Sequence, residues 1–345
     1  MLAQLDDLAS LTSIDISGML GQMTSFPSQL TSSLRVDRRR DLEAETVVVG
    51  GLGGSAMGGD VLAEYMAMSS SAPTFVVRDT TFPRWADERT LVVLMSYSGN
   101  TRETLSLYGS ARERGCPMVV ITSGGRLLEM AGQDGQDVVQ VPSGLQPRAA
   151  LGYLLGSAAC VVESTGLAPM ASDIRAFVPS LEALMQDLLP TSPQTHNPAK
   201  RIAMSLVDSM PFVYAPRTLR SAATRWQTQI NENAKMLCLS GEVPEMGHNQ
   251  IVGWFDGTED HRGRPVMLMP RSGRCASADL MRTIIDMFAE HGIDTVVAEL
   301  EGSSPLESAL HGIMLGDFVS YYLAILRGVD PTPVPSITEL KDRLR

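Results

Sequence analysis

Short apolar runs alternate with longer stretches of helical spacing along residues 46–141. Continuous apolar runs of this kind are typical of strands that a parallel sheet buries on both faces. The predicted strands are Thr46–Val49, Thr74–Val77, Leu91–Met95, Met118–Thr122 and Val138–Val141. Helices are predicted between them, from the glycines after Val49 to about Met68, over Glu103–Arg114 and near Arg126–Ala131. This alternation indicates a doubly wound parallel sheet.

The same alternation returns in the second half of the chain, after two helices predicted over Leu151–Val162 and Ser172–Leu188. It predicts helix Ala199–Asp208, strand Phe212–Tyr214, helix Arg220–Met236, strand Val266–Met269, helix Ser277–His291, strand Thr295–Ala298 and helix Pro305–Arg327. The residues between 236 and 266 are expected to be irregular. We therefore predict an α/β protein with two doubly wound parallel-sheet domains and flanking helices, a plan that suggests an old duplication.

The ends of the chain and the link between its halves differ in composition. Leu5–Leu34 predicts a helical lead-in, and the charged Arg35–Glu45 is expected to cross the surface. Asp330–Pro335 predicts an extended tail before a short helix over Ser336–Leu344. The polar stretch Thr191–Pro198, with two prolines, is the best linker candidate. We expect an N-terminal domain over 1–155, a helical connector over 156–195 and a C-terminal domain over 196–345.

Charge and cysteine content limit the classes of partner. The net charge of −11 argues against nucleic acid, which needs a basic face, but backbone dipoles can still hold a small phosphorylated molecule. Four widely spaced cysteines form no metal motif, so a reduced cytoplasmic protein with buried thiols is expected. The N-terminus lacks the pattern of a signal peptide. Gly312–Val329 contains Asp317, so it predicts a buried or interface helix and no membrane span.

A hydroxyl-rich turn, Ser96–Thr104, follows the apolar run that ends at Met95. It joins a predicted strand to a predicted helix, at the sheet edge where open α/β proteins bind ligands. Ser96, Ser98 and Thr101 offer three hydroxyls within six residues, and Gly99 permits close approach of the backbone. A helix start also favours an anion. The alternative is a simple helix cap, since Thr101 begins a capping pattern.

A glycine-rich turn, Gly50–Gly59, follows the first predicted strand. The spacing Gly51-x-Gly53-x-x-Ala56, with Asp79 after the next strand, fits a dinucleotide fingerprint. Ser55 instead lies where a hydroxyl can reach a phosphate. Two neighbouring turns that could each bind a phosphate favour a sugar phosphate over a nicotinamide cofactor. The structural alternative is that the glycines serve only close packing.

Three further residues are candidates for chemistry. Glu232, between Asn231 and Asn233 on a predicted helix, is suited to a general base, and the alternative is a solvated helix face. His248 lies in the irregular stretch, where its ring could transfer protons or merely form surface hydrogen bonds. Arg148, after a proline, could stabilise developing negative charge or simply begin a helix.

These motifs together resemble one family. In order and over nearly the whole chain, the sequence is similar to the bifunctional phosphoglucose/phosphomannose isomerases at Gly51–Ser55, Ser96–Thr101, Pro147–Arg148, Asn231–Asn233, His248–Asn249 and Leu340–Lys341. The resemblance implies two sugar isomerase (SIS) domains and a homodimer with its active site at the interface. It also implies an aldose–ketose isomerase of carbohydrate metabolism (glycolysis or gluconeogenesis). This enzyme would interconvert glucose 6-phosphate and/or mannose 6-phosphate with fructose 6-phosphate through an enediol, without a metal or another cofactor.

The resemblance also assigns roles. It implies that four hydroxyls hold the substrate phosphate beside the backbone of Gly53 and Gly54: those of Ser55, Ser96, Ser98 and Thr101. Glu232 would move a proton between C1 and C2, and Arg148 would stabilise the enediolate. His248 of the neighbouring subunit, together with Lys341, would assist ring opening.

Two other classes of function stay open. A non-catalytic SIS-type sensor would keep the phosphate turns without needing Glu232, His248 and Lys341 together. An NAD-dependent dehydrogenase would use the glycine turn alone. A zinc-dependent mannose 6-phosphate isomerase is disfavoured because the sequence has no cluster of zinc ligands.

Overall fold

The computed structural model describes residues 5–34, 44–257, 262–271 and 277–343. These residues form two compact units: residues 24–180, here the N-terminal unit, and residues up to 23 together with those from 181 onward, here the C-terminal unit. Most of the charged Arg35–Glu45 segment, His261, Cys275 and Leu344 lie outside the described residues. The domain limits expected at residues 155 and 195 stay a prediction.

The first part of the chain forms helices and the strands of one sheet. Its elements are α1 (Leu8–Ile14), α2 (Met19–Thr24), α3 (Phe26–Ser33), β1 (Thr46–Gly50), α4 (Gly54–Ser69), β2 (Thr74–Val77), β3 (Thr90–Met95), α5 (Arg102–Glu113), β4 (Met118–Thr122), α6 (Gly125–Gln133), β5 (Asp137–Gln140), α7 (Leu151–Ser164) and α8 (Met170–Leu188). The strands are all parallel, in the order β2-β1-β3-β4-β5. Every residue of β3 and β4 is buried, as their continuous apolar runs predict.

The rest of the chain forms a second, smaller sheet. Its elements are α9 (Pro198–Leu206), β6 (Met210–Pro216), α10 (Arg220–Ala234), β7 (Leu239–Val243), α11 (Gln250–Phe255), β8 (Gly263–Pro270), α12 (Ala278–Glu290), β9 (Val296–Leu300), α13 (Pro305–Leu326) and α14 (Pro335–Arg343). The strands are again parallel, in the order β7-β6-β8-β9. The predicted fold class is therefore confirmed.

The prediction that residues 236–266 are irregular is wrong. This stretch contains β7, a 3₁₀ turn over Glu245–His248, and α11. β7 lies at the sheet edge and is fully buried only at Val243. An edge strand needs no continuous apolar run, so its sequence carries little strand signal.

Helix α13 is long and apolar enough to cross a bilayer by length and composition alone. However, 94% of its most apolar window is buried inside the protein. It packs along α10 in the C-terminal unit, as predicted for a buried helix. A helix that is apolar on all sides is typical of a protein core.

Candidate active site

The two candidate phosphate turns lie side by side in the N-terminal unit. β1 and β3 are parallel neighbours whose register pairs Gly50 with Leu94, so both strands end at the same sheet edge. From β1 the chain continues to β2, which pairs with one side of β1, and later to β3, which pairs with the other side of β1. This is the topological switch point at which doubly wound sheets bind ligands.

Ser96 and Thr101 face each other across the second turn. Their hydroxyl oxygens are 3.1 Å apart, and Ser96 is only 1% exposed. Thr101 occupies the position before α5, but its side chain makes no capping hydrogen bond. The alternative of a simple helix cap is therefore wrong for Thr101, and the first N–H groups of α5 have no side-chain cap. Such groups can bind an anion.

The turn is held in place by glycines. Gly99 has φ of +65°, and a Cβ there would overlap the carbonyl oxygen of Gly124. Leu127 also donates its N–H to the carbonyl of Gly99 at 2.9 Å. Only glycine fits this left-handed, crowded position without strain.

Ser98 differs from the other candidates because it is exposed. Its Oγ accepts a hydrogen bond from the N–H of Asn100 at 3.3 Å, while Asn100 Oδ1 accepts from the N–H of Arg126 at 3.0 Å. Ser98 therefore lies at the rim of the turn, where its hydroxyl can also reach a ligand from solvent.

The glycine turn contributes Ser55 and fixes Arg148. Ser55 Oγ accepts a hydrogen bond from the N–H of Tyr97 at 3.1 Å, which ties the two turns together. Gly53 has φ of +54°, and a Cβ on Gly54 would lie 2.8 Å from Cα of Arg148. The residues around Arg148 therefore pack directly against the start of α4. Arg148 is only 3% exposed, so its side chain is buried, and its backbone lies against the glycine turn.

In the C-terminal unit, Glu232 lies in the last turn of α10, and a polar seam holds this helix to α13. Arg225 makes a bidentate ion pair with Asp317, at 2.7 and 2.8 Å. Asn233 Nδ2 donates to Ser320 Oγ at 2.9 Å. These buried contacts fix the helix that carries the partly exposed Glu232.

Three contacts also run along the other side of α10, toward β7. Arg220 pairs with Glu242 at 3.3 Å, Gln227 Oε1 accepts from Ser240 Oγ at 2.5 Å, and Asn231 Oδ1 accepts from the N–H of Cys238 at 2.9 Å. Along these three contacts the residue numbers increase in α10 and decrease toward the start of β7, so α10 and β7 are antiparallel. Their order places the end of α10 beside the start of β7.

Glu232 and His248 are therefore far apart in one chain. Glu232 lies twelve positions after Arg220, roughly 18 Å along the helix axis at 1.5 Å per residue. His248 ends the 3₁₀ turn beyond the opposite end of β7 and is exposed. The structure does not bring this candidate base and this histidine together within one C-terminal unit.

Lys341 lies on α14, which has no buried residue. Leu340 beside it is 59% exposed. The described residues thus provide no packing that would place the Lys341 ammonium in a site of its own chain.

Lys235 has a structural role that sequence reasoning missed. It ends α10 in the left-handed region, with φ of +51°, and it is the only such non-glycine among the described residues. Its Nζ donates to the carbonyls of Asp330 at 2.7 Å and Pro331 at 3.0 Å. It thereby joins the turn after Glu232 to the segment that leads to Lys341. No pattern marks a lysine for a position that glycine or asparagine usually takes.

The described thiols are suited to structure more than to reaction. Burial raises the pKa of Cys238 to about 12 and that of Cys160 to about 11. Cys116, also buried, has a raised pKa for the same reason. Within the described ranges, no group of three or more His, Cys, Asp or Glu side chains is placed to hold a metal ion.

Comparison with known proteins supports the fold of both units. Residues 42–126 match the SIS domain family, and residues 195–344 match the bacterial phospho-glucose isomerase C-terminal SIS domain family. A glucose-6-phosphate isomerase like protein from Thermus thermophilus shares the fold, with a TM-score of 0.63 and 20% identity. That likeness covers 99% of this chain and 98% of the other.

Two relatives of higher identity have the same name. The bifunctional phosphoglucose/phosphomannose isomerase of Caldicellulosiruptor bescii is 34% identical over 94% of this chain and 98% of its own length. That of Thermoplasma acidophilum is 35% identical over 86% of this chain and 89% of its own length. The chain therefore belongs to the bifunctional phosphoglucose/phosphomannose isomerases, a family of isomerase enzymes built on SIS domains.

Proposed function

We propose that this protein interconverts fructose 6-phosphate with glucose 6-phosphate and mannose 6-phosphate through a shared enediol. Three considerations support this: the family, the paired hydroxyls at the switch point of the first sheet, and a carboxylate on a firmly held helix. The single observation that carries the proposal is the Ser96–Thr101 pair beside the uncapped start of α5. It suits a phosphomonoester better than any neutral group.

The phosphate ligands in this proposal are the hydroxyls of Ser55, Ser96, Ser98 and Thr101, with the backbone of Gly53 and Gly54 alongside. Neutral hydroxyls and N–H groups bind a dianion without requiring a buried counter-charge. This suits a chain with a net charge of −11. Because the phosphate is unchanged by the reaction, these groups contribute binding more than turnover.

Glu232 is the proposed base. It takes the proton from C2 of the open-chain aldose, which leaves an enediolate with its negative charge on O1. The O2 hydroxyl proton then passes to O1, and the protonated carboxyl returns its proton to C1 as the C2 carbonyl forms, which gives the ketose. Arg148 stabilises the negative charge on the oxygens as the enediolate forms. Glucose and mannose 6-phosphates differ only at C2, so both reach the same enediol. No step in this route requires a metal ion or a redox cofactor.

Ring opening needs a proton at the ring oxygen, and we assign it to His248 and Lys341. The distance between Glu232 and His248 along α10 and β7 supports a His248 that serves the site of a second chain. The exposure of α14 is compatible with a Lys341 that becomes ordered on substrate. We therefore propose a cytoplasmic homodimer.

The test is isomerisation of fructose 6-phosphate, with both aldose products quantified separately, for the native enzyme, Glu232→Gln and the control Glu290→Gln. We expect both products and a loss of kcat for Glu232→Gln of about 10²–10⁴-fold, the usual contribution of a general base. Glu290→Gln, at the exposed end of α12, should behave as the native enzyme.

Other outcomes would identify a different function. Near-normal turnover in Glu232→Gln would remove it as the base. Mannose 6-phosphate alone would indicate a specialised isomerase. Binding of fructose 6-phosphate without turnover would indicate a sensor, and stabilisation by NAD alone would indicate a dehydrogenase.

A further inference from the structure

A second cleft lies in the C-terminal unit, between the start of α10 and the end of β7. Its volume is about 540 Å³, within the range of small-molecule sites. We name it the α10–β7 cleft, and its polar lining residues are Arg217, Arg220, Thr224, Ser240, Glu242 and Glu245. β6 ends at Pro216 and β7 ends at Val243, so the cleft opens at the carboxyl edge of the parallel sheet. Ligands bind at this edge in open α/β sheets.

The cleft occupies a gap in the row of contacts between α10 and β7. Arg220, Thr224, Gln227 and Asn231 follow helical spacing and share one face of α10. Arg220, Gln227 and Asn231 each contact a residue in or just before β7. The Thr224 hydroxyl, between the first two, has no hydrogen-bond partner among the described residues.

The guanidinium of Arg217 is also unengaged. It makes no hydrogen bond or ion pair with any residue that the structure describes, whereas Arg220 beside it is paired with Glu242. An unpaired arginine offers five donors in a fixed plane, which suits a phosphate group. The cleft therefore has a cation and a hydroxyl available for an incoming anion.

The opposite wall of the cleft suits hydroxyl groups. The carboxylates of Glu242 and Glu245 accept hydrogen bonds and repel a purely anionic ligand, so the ligand needs donors as well as a phosphate. The remaining lining residues that the structure describes are Ala223, Gly241 and Pro244, and none of them offers an aromatic ring on which a nucleobase could stack. A small phosphorylated polyol meets both requirements.

We propose that the α10–β7 cleft is a second binding site, apart from the phosphate turns and Glu232 of its own chain, for a small phosphorylated polyol such as a sugar phosphate. It lies at the start of α10, roughly 18 Å from Glu232 at the other end of the helix. Occupancy would bridge α10 to the segment of Glu245 and His248, and so couple ligand concentration to the position of that histidine.

The test uses sorbitol 6-phosphate, which has no carbonyl and cannot isomerise, and measures its stoichiometry by calorimetric titration of the full-length protein. We expect two sites per chain in the native protein. Arg217→Gln and Thr224→Val should each leave one site intact and weaken the other by about tenfold or more. The control Arg282→Gln removes an exposed arginine of α12 that does not line the cleft, and it should retain both sites.

Kinetics separates this site from the catalytic one. In Arg217→Gln, KM for fructose 6-phosphate should stay within about twofold of the native value. A single site in the native protein that Arg217→Gln leaves unweakened, or two unweakened sites in Arg217→Gln, would overturn the proposal, whereas a single site that Arg217→Gln weakens would keep the cleft and count against the proposed catalytic site. A parallel rise of about tenfold in KM would also overturn the proposal, because the cleft would then belong to the catalytic site. These binding counts do not depend on isomerase activity, so failure of the proposed function would be recognised separately.

Discussion

The carboxyl edges of the two sheets have different residues at equivalent positions. In both, a strand next to the edge strand (β1 or β6) leads into a helix (α4 or α10). In the N-terminal unit that junction contains four glycines and Ser55, and the backbone packs closely there: a Cβ on Gly54 would lie 2.8 Å from Cα of Arg148. In the C-terminal unit it carries Arg217 and Arg220.

If both proposals hold, the two edges bind an anion in different ways. The first edge would use glycine backbone, hydroxyls and a helix start, so its geometry would depend on close backbone packing. The second would use long charged side chains on a helix fixed by buried polar contacts. Substitutions that add a single methyl group should therefore damage the first unit, and substitutions that remove a charge should damage the second.

The largest expected effect is on stability, in Asp317→Asn. It leaves the nearly buried Arg225 without its anionic partner, and breaking a buried pair in this way costs about 3–5 kcal/mol. Chemical denaturation should show a lower midpoint. The control Asp279→Asn breaks an exposed pair on α12 and should leave the midpoint unchanged. Equal midpoints for both variants would mean that the polar seam does not hold α10.

The next effect is expected for Gly99→Ala in the first turn. Its Cβ would overlap Gly124 O at a left-handed φ, so we expect a cost of about 2–3 kcal/mol and a raised KM for fructose 6-phosphate. The matched control is Gly109→Ala, which adds a methyl group to open space within α5. It should stabilise the protein by roughly 0.5–1 kcal/mol. Identical behaviour of the two variants would refute the packing argument.

The smallest effect concerns pH and His311 on α13. Burial lowers the pKa of His311, although Glu307 and Glu301 act in the opposite direction. The unfolded chain therefore binds more protons between the lowered folded pKa and the ordinary value of 6.5. In that window stability falls as pH falls, and well above pH 6.5 this contribution is constant.

Thermal unfolding of the native protein, His311→Gln and His196→Gln at pH 7.5 and 5.5 tests this linkage. His311→Gln should lose less Tm on acidification than the native protein, while the exposed His196→Gln should lose as much. An unchanged acid sensitivity in His311→Gln would exclude His311 as a contributor.

Sequence patterns predicted the buried elements well, because apolar runs such as Leu91–Met95 and Met118–Thr122 allow few alternatives. They failed for β7, because this edge strand is formed by pairing with β6 and has no apolar run of its own. The phosphate turn was found from its hydroxyls, but a one-dimensional pattern could not show that Thr101 faces Ser96 and leaves α5 uncapped. It also could not show that α10 separates Glu232 from His248.

Two opposing requirements meet at Lys235. Its left-handed backbone would accept glycine with less strain. Glycine would, however, release the carbonyls of Asp330 and Pro331 that the ammonium holds. The strained backbone of Lys235 is thus accompanied by a side chain that fastens the end of α10 to the segment before α14.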